Sequence, residues 1–346
     1  MKNVLEWLEA TVEKCPDKPA FSDTESSITF AQVYDIARNA GAYLIEKLGV
    51  DRTPVAVFAG RKMVTPAYFL GVVYAGRPYA PIDASLPDKR IEKILENLSP
   101  RAIVADRESL EHVESIVNEL AKTEVFERPQ IFVAEDISCF ERIVGADSLL
   151  EKLAAVRRQM SMTDPLYIIY TSGSTGNPKG VMTSHLSLMT YINAYCDVMH
   201  IEGEDVLGNQ SPLDYIAAIR DIYLPLKTGC STAIIPKEYF MEPNVLFDYM
   251  NEKRVSSVGW SVSAFTILTS LGAFEEVGLK SLRKICFSGS VMPCRVLRKW
   301  QENLPEAHFV NQYGPTEATA SCTYYSVDHT VVDDEVLPIG KAYDNY

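Results

Sequence analysis

Short apolar runs alternate with amphipathic stretches along most of this chain, and this alternation restricts the possible folds more than any other feature of the sequence. Buried strands are predicted at 55–59 and 101–105, with helices between them at 65–75 and 88–95. The first of these helices is closed by Gly76. Such alternation is typical of a mostly parallel sheet covered by helices.

A second run of the same kind begins at Leu166. Its predicted strands are 166–170, 231–235, 257–259, 284–287 and 308–311, and its predicted helices include 185–195, 245–253 and 293–303. The stretch 106–162 mixes charge with apolar stripes and is predicted as helices joined by a loose connection. We therefore predict an α/β fold of two stacked subdomains with helix-flanked sheets, 1–162 and 163–346.

The charge balance argues against some classes of partner. The sequence has 33 Lys and Arg against 46 Asp and Glu, a net charge of −13, whereas a general nucleic-acid or anionic-membrane binder needs a basic surface. The longest apolar stretch, 64–75, contains Pro66 and is too short for a bilayer, which takes about 20 apolar residues. The N-terminus lacks a signal-peptide pattern, so we expect a cytoplasmic location.

The segment 170–180, with the sequence YTSGSTGNPKG, follows a predicted strand directly. Its glycines and hydroxyl residues disfavour a regular helix and offer backbone amides, hydroxyls and the Lys179 ammonium to an anion. It is not a P-loop, because Pro178 stands where that motif needs a glycine before the lysine. A flexible surface turn is the alternative interpretation of such a run.

Four segments together resemble the adenylate-forming superfamily, which includes acyl-CoA synthetases, luciferases and the adenylation domains of nonribosomal peptide synthetases. The segment 170–180 resembles its phosphate-binding loop, and 311–317 (NQYGPTE) resembles its nucleotide motif. The segments 28–33 and 74–83 resemble two earlier motifs, in the same order along the chain. The sequence around 208–223 is most similar to peptide-synthetase adenylation domains and D-alanine–carrier-protein ligases. The fold expected from this resemblance is an acyl-CoA synthetase-like N-terminal domain.

The resemblance implies ATP-dependent activation of a carboxylic acid, with an amino acid and a carrier-protein thiol as the expected substrate and acceptor. Catalytic roles are implied for Thr175, Lys179 and Glu317, with Glu317 holding Mg²⁺. Tyr313 would stack on adenine, Asn311 would bond its edge, and Thr316 would contact the α-phosphate. The full set of implied nucleotide contacts is Thr171, Ser172, Gly173, Ser174, Thr175, Gly176, Lys179, Gly289, Asn311, Gln312, Tyr313, Gly314 and Thr316. Both motifs follow predicted strands, so we expect them to face one cleft.

The same alignment implies an acid pocket formed by His185, Asp214, Ile216, Ala217, Arg220, Trp260, Cys286, Ser288, Gln312, Ala320 and Ser321. Ile216 stands where amino-acid adenylation domains usually carry an aspartate for the substrate ammonium. Either Asp214 substitutes for it, or the substrate lacks an α-amine there. Arg220 either pairs with a second carboxylate or polar tail, or points to solvent. His185 is either a neutral imidazole in an anion site or a structural histidine.

The family's later ribose-binding motif and small C-terminal domain have no counterpart in the sequence. We therefore expect a truncated core that binds ATP with weak or absent turnover. Two alternatives stay open at this point. One is an acyl- or aryl-CoA ligase, and the other is a non-catalytic nucleotide-binding or docking fragment.

Overall fold

A computed structural model of the protein describes residues 2–123, 126–139, 146–172, 176–344 and 346. Its helices are α1 (Leu5–Lys14), α2 (Phe30–Leu48), α3 (Thr65–Tyr74), α4 (Asp88–Leu98), α5 (Leu110–Leu120), α6 (Ala134–Ile137), α7 (Ala146–Gln159), α8 (His185–Met199), α9 (Ile219–Thr228), α10 (Pro243–Glu252), α11 (Val262–Ser270) and α12 (Cys294–Asn303). Its strands are β1 (Pro19–Ser22), β2 (Ser27–Thr29), β3 (Val55–Phe58), β4 (Tyr79–Ile82), β5 (Ala102–Ala105), β6 (Gln130–Val133), β7 (Pro165–Ser172), β8 (Pro178–Ser184), β9 (Val206–Asn209), β10 (Ser231–Ile234), β11 (Ser257–Ser261), β12 (Lys284–Ser288), β13 (His308–Tyr313), β14 (Thr323–Val327) and β15 (Lys341–Ala342).

The chain divides into two compact units. The first unit comprises Met1–Lys18, Ile28–Met189 and Pro212–Tyr215. The second comprises Pro19–Ser27, Thr190–Ser211 and Ile216–Tyr346. The boundary predicted between residues 162 and 163 differs from this division, because β7 pairs with β4 and carries β8 into the first sheet.

The sheet of the first unit has the strand order β6-β5-β3-β4-β7-β8. Its strands pair in parallel, except that β8 runs antiparallel to β7 at one edge. Apolar residues of α4 and α5, including Ile94 and Val117, pack with Phe58 and Ile103 of the sheet in one buried cluster. This pattern of parallel strands and covering helices is the one that the alternating sequence predicts.

Helices α2 and α3 approach each other closely at two glycines. A Cβ at Gly41 would lie 2.5 Å from the Tyr74 Cβ, and one at Gly71 would lie 2.7 Å from the Ala40 Cβ. Helix α2 begins with a capping box, in which the Gln32 amide donates to Thr29 Oγ1 and the Thr29 amide donates to Gln32 Oε1. The capping box fixes where α2 begins, and the two glycines set how closely α2 packs against α3.

The side chain of Arg77, from the 74–83 motif, is fully buried and joins the end of α2 to the loop after it. Its guanidinium donates to the carbonyls of Leu48 at 3.3 Å and Gly49 at 3.2 Å, and it pairs with Asp51. A cation at this place satisfies carbonyls that a helix C-terminus leaves without intrahelical partners. This motif therefore has a structural role in the first unit.

The second sheet has the strand order β15-β14-β13-β12-β11-β9-β10-β1-β2. Strands β1 and β9 to β13 pair in parallel, and β14 and β15 are antiparallel. An aromatic core covers one face, where the ring centroids of Phe265 and Trp300 lie 4.8 Å apart. The Trp260 ring belongs to this core, and its Nε1 donates to the Gly208 carbonyl at 2.8 Å.

The expected α/β fold with two helix-flanked sheets is confirmed. The prediction missed the edge strands β6 and β8, which have few buried residues. It also missed β1, β9, β14 and β15 of the second sheet, of which β9 lies between β11 and β10. Among the described helices, none combines the length and apolarity needed to cross a membrane.

Candidate active site

The predicted phosphate loop is the tip of the β7–β8 hairpin. Thr171 pairs with Lys179 and Ser172 with Pro178, so regular strand extends further into 171–180 than the sequence predicts. Thr171 is half-buried, whereas Ser172 and Lys179 are exposed. Gly173, Ser174 and Thr175, to which the resemblance assigns nucleotide contacts, lie outside the described residues. Hydroxyls and one ammonium group are therefore available to an anion at the described base of the turn.

Helix α4 supports this hairpin through contacts that the sequence did not reveal. Lys93 Nζ donates to the Gly176 carbonyl at 3.4 Å and to Asn177 Oδ1 at 3.1 Å. The Tyr170 hydroxyl donates to Asn97 Oδ1 at 2.8 Å. The Lys93 ammonium is therefore a second cation beside the turn, in addition to Lys179.

The nucleotide motif of the second unit lies where β13 ends and the chain turns into β14. Tyr313 is 52% exposed, so its ring face is open to a planar ligand. Gly314 leaves room for the returning chain, since a Cβ there would lie 2.4 Å from the Ser321 Cα. Thr316 and Glu317 belong to a short 3-10 helix, Thr316–Ala318, and the Glu317 carboxylate is exposed. The turn thus presents an aromatic ring, a hydroxyl and a carboxylate to one region of the surface.

Asn311 and Gln312 are buried at the same turn. Asn311 Nδ2 donates to the Pro338 carbonyl at 2.9 Å, which leaves its Oδ1 as the group to meet a ligand. Gln312 Oε1 accepts from the Ser321 hydroxyl at 3.2 Å, and Gln312 Nε2 has no partner among the described residues. Gly289, the remaining implied nucleotide contact, is exposed after β12 with a φ of +93°.

Of the predicted acid-pocket residues, Cys286, Ser288 and Gln312 lie in the middle or near the carboxyl end of parallel strands of the second unit. Gly259 pairs with Cys286 and Ser261 with Ser288, so these four positions face the same side of the sheet. In open α/β sheets, ligands bind beyond these strand ends. Ile216 is 6% exposed in the 3-10 helix Ile216–Ala218.

Arg220 is 2% exposed, so the solvent-facing alternative for its side chain is excluded. The guanidinium lies against Gly259 and donates to its carbonyl. Its carbon lies 5.8 Å from the centroid of the Tyr195 ring, and Nε lies 3.8 Å from an Asp221 carboxylate oxygen. Tyr195 in turn contacts Cys286, with 3.3 Å between hydroxyl and sulfur. A buried cation therefore belongs to the predicted acid pocket.

The Trp260 side chain does not lie on the face of the sheet that Gly259 and Cys286 share. It alternates with Gly259 and Ser261, so it faces the other side of the sheet and packs in the aromatic core. This placement differs from the pocket-wall role that the alignment implied for Trp260. Of the remaining pocket positions, Ser288, Ala217 and Ala320 are half-buried and Ser321 is buried.

Asp214 and His185 belong to the first unit. Burial, together with the charge of Asp83, raises the pKa of the Asp214 carboxyl. His185 is 1% exposed, and its Nδ1 accepts from the Val4 amide at 3.5 Å. Burial lowers the pKa of His185 to about 4. This buried environment matches the interpretation of His185 as a structural histidine, with a neutral ring inside the first unit.

A comparison with protein families decides the classification. The family described as AMP-binding enzyme matches residues 8–346, which is nearly the whole chain. The chain belongs to the AMP-binding enzyme family. Its match includes the hairpin of the first unit and the tyrosine turn of the second.

Curated relatives of this AMP-binding family member include D-alanine–D-alanyl carrier protein ligases. That of Bacillus cereus (strain Q1) is 30% identical over 346 residues, covering 97% of this chain and 64% of the relative. That of Bacillus thuringiensis (strain Al Hakam) is 30% identical over 339 residues, with the same coverage. The chain thus spans about 64% of the length of these relatives.

Solved structures share the fold. A nonribosomal peptide synthetase, FmoA3, in its α-methyl-L-serine-AMP bound form has a TM-score of 0.84 at 22% identity, covering 99% of this chain and 36% of that one. The Klebsiella oxytoca NpsA N-terminal subdomain, in complex with 3-hydroxyanthranilyl-AMSN, has a TM-score of 0.80 at 17% identity, covering 99% and 81%. The α/β architecture of the AMP-binding family member is therefore that of adenylation domains.

Proposed function

We propose that this chain is the core of an enzyme that activates a carboxylic acid, most simply an amino acid, as an acyl-adenylate for transfer to a carrier-protein thiol. The observation that carries the proposal is the turn at 311–317, which presents Tyr313, Thr316 and Glu317 at the strand ends of a chain in the AMP-binding family. The names of the curated relatives support the amino acid and the carrier protein. A cytoplasmic location remains a prediction from the sequence.

The reaction joins a carboxylate oxygen to the α-phosphorus of ATP while the bond to pyrophosphate breaks. Two anions must approach each other, so charge neutralisation and alignment contribute most of the rate. Lys179 and the hydroxyls of Thr171 and Ser172 supply a cation and donors for the pyrophosphate oxygens. Thr316 donates its hydroxyl toward the α-phosphate, where negative charge grows.

Tyr313 and Asn311 are proposed to hold the base. The half-exposed phenol ring offers a stacking face, which contributes about 1–3 kcal/mol for a nucleobase. Asn311 Oδ1 is an acceptor, which suits the amino group of adenine.

The residues of the turn fit a magnesium ion that is shared with ATP. The Glu317 carboxylate is a hard oxygen donor, and it is exposed at the surface of the turn. The described residues hold no cluster of three metal-ligating side chains, so the phosphates would complete the coordination. When bound, the metal neutralises phosphate charge. Glu317 orients it.

A second candidate is an acyl- or aryl-CoA ligase, and Ile216 favours it. The side chain is apolar and 6% exposed at the place where an amino-acid ammonium would need a partner. An unpaired buried ammonium is costly, so an acid without an α-amine fits this position better. Competition between aminoacyl and acyl sulfamoyl-adenosine analogues for the chain separates the two candidates.

Titration with the ATP analogue AMPPNP and magnesium tests the proposal. We expect saturable binding, which Tyr313→Ala weakens about tenfold and Tyr313→Phe leaves within about twofold, because stacking needs the ring and not the hydroxyl. Isothermal calorimetry measures both. If a folded sample binds neither AMPPNP nor an acyl sulfamoyl-adenosine, the chain is a docking fragment and the proposal is wrong.

A further inference from the structure

The buried guanidinium of Arg220 occupies space that only a glycine leaves open. A Cβ at residue 259 would lie 2.3 Å from Arg220 Nε and 2.5 Å from its guanidinium carbon. The side chain therefore lies against the middle residue of β11, on the face of the sheet that Cys286 and Ser288 share. Gln312 and Tyr313 are the last two residues of β13 in the same sheet.

The groups around Arg220 leave it undercompensated. Burial raises the pKa values of the Tyr191 and Tyr195 hydroxyls and of the Cys286 thiol, so all three stay neutral. Asp221 is the carboxylate that pairs with Arg220, at 3.8 Å from Nε, which is too long for a hydrogen bond. The same carboxylate accepts from Asn209 Nδ2 at 2.8 Å.

Two buried donors in this cluster have no partner within the described residues, namely Arg220 Nε and Gln312 Nε2. The Ser321 hydroxyl lies 3.2 Å from Gln312 Oε1 and 3.4 Å from the Tyr191 hydroxyl, and Tyr191 in turn hydrogen-bonds with Arg220. Leaving a buried donor unsatisfied is costly, more so on a charged group. Since both groups are donors, the ligand that satisfies them must bring acceptor oxygens.

The acceptor is not the carboxylate that reacts. Tyr313 and Glu317 are exposed, whereas Arg220 is 2% exposed, so the guanidinium lies at the buried end of the cluster. A reacting carboxylate held by a buried arginine would be a weaker nucleophile and would be kept from the phosphate. An oxygen that satisfies these buried donors would therefore belong to the part of the acid most distant from its reacting group.

We propose that the acid activated by this protein carries a second carboxylate, which Arg220 and Gln312 hold at the buried end of the pocket. The proposal rests on the acid-activating function proposed above. It concerns the second carboxylate alone, so it holds for an acid with or without an α-amine. Planar guanidinium groups suit carboxylates through paired hydrogen bonds.

Two matched pairs of acids test the proposal without any substitution. Glutarate is compared with pentanoate, and L-glutamate with L-norvaline, by calorimetric titration of the chain in the absence of nucleotide. In at least one pair we expect the dicarboxylate to bind at least tenfold more tightly. Equal affinities within both pairs, or no measurable dicarboxylate binding, would overturn the proposal.

Substitutions then test whether Arg220 causes the dicarboxylate preference. Arg220→Met should abolish the dicarboxylate preference, while Arg298→Met, which removes a partly exposed arginine paired with Asp333 at 2.9 Å, should retain it. If Arg220→Met does not fold, the wild-type pairs still decide. A preference that survives in folded Arg220→Met counts against the proposal.

AMPPNP titration of the same samples separates the two levels of inference. AMPPNP binding without a dicarboxylate preference would contradict the proposed substrate class and leave the proposed acid activation standing. A dicarboxylate preference without AMPPNP binding supports the acid site and defeats the proposed activation.

Discussion

Burial holds the imidazole of His185 neutral, and this has a consequence for stability. The ring is 1% exposed, accepts from the Val4 amide and has a pKa lowered to about 4 by burial. An unfolded chain would bind a proton at this residue near pH 6.5, but the folded chain binds it near pH 4. Falling pH through this window therefore favours the unfolded state.

We expect His185 to lower the free energy of unfolding by about 3 kcal/mol between pH 6.5 and pH 4. His185→Asn, which keeps an acceptor near the Nδ1 position, should flatten the pH dependence in that window. Urea unfolding at several pH values measures this. Parallel profiles for His185→Asn and the wild type would contradict a neutral buried ring.

Sequence patterns identified residue types but not their surroundings. The alignment put Arg220 and Trp260 in one pocket, yet strand alternation sends Trp260 to the opposite face. Whether Arg220 meets solvent depends on the absence of a Cβ at Gly259, 39 residues later. Such a contact leaves no local signal in the sequence.

At the level of secondary-structure elements, most buried strands were predictable, with β9 as an exception, whereas the edge strands β6 and β8 were not. Strands such as β3 and β5 are apolar along their whole length because both faces are covered. Strand β6 is exposed or half-buried throughout, and β8 has one buried residue, Thr183. A strand buried on neither face lacks both the continuous apolar run and a clear alternation, so its sequence is read as loop.

The crossing of α2 and α3 gives a prediction at this scale. Gly41→Ala should lower the free energy of unfolding by about 1–3 kcal/mol, because the new methyl would lie 2.5 Å from the Tyr74 Cβ and force the helices apart. Gly278→Ala is the matched control, since a Cβ there meets nothing within 4 Å. Urea denaturation compares the two. A Gly41→Ala protein as stable as the control would show that the crossing adapts without strain.

For the whole molecule, the family and the fold followed from four short motifs, but the identity of the acid did not. Motifs such as 311–317 lie within the match to the AMP-binding enzyme family, so they identify the family. The acid pocket instead combines single positions from separate elements, such as Arg220 of α9 and Cys286 of β12. The net charge of this predicted pocket can be judged only when the side chains from those elements are considered together.

The central claim is that this chain binds ATP by its base and its terminal phosphates, and affinity for AMPPNP against AMP tests it most directly. Lys179→Ala should weaken AMPPNP binding about tenfold and leave AMP binding unchanged, since AMP lacks the β- and γ-phosphates. Tyr313→Ala should weaken both, and Lys280→Ala, at an exposed lysine, should weaken neither. Equal binding of AMPPNP by Lys179→Ala and the wild type would contradict the claim.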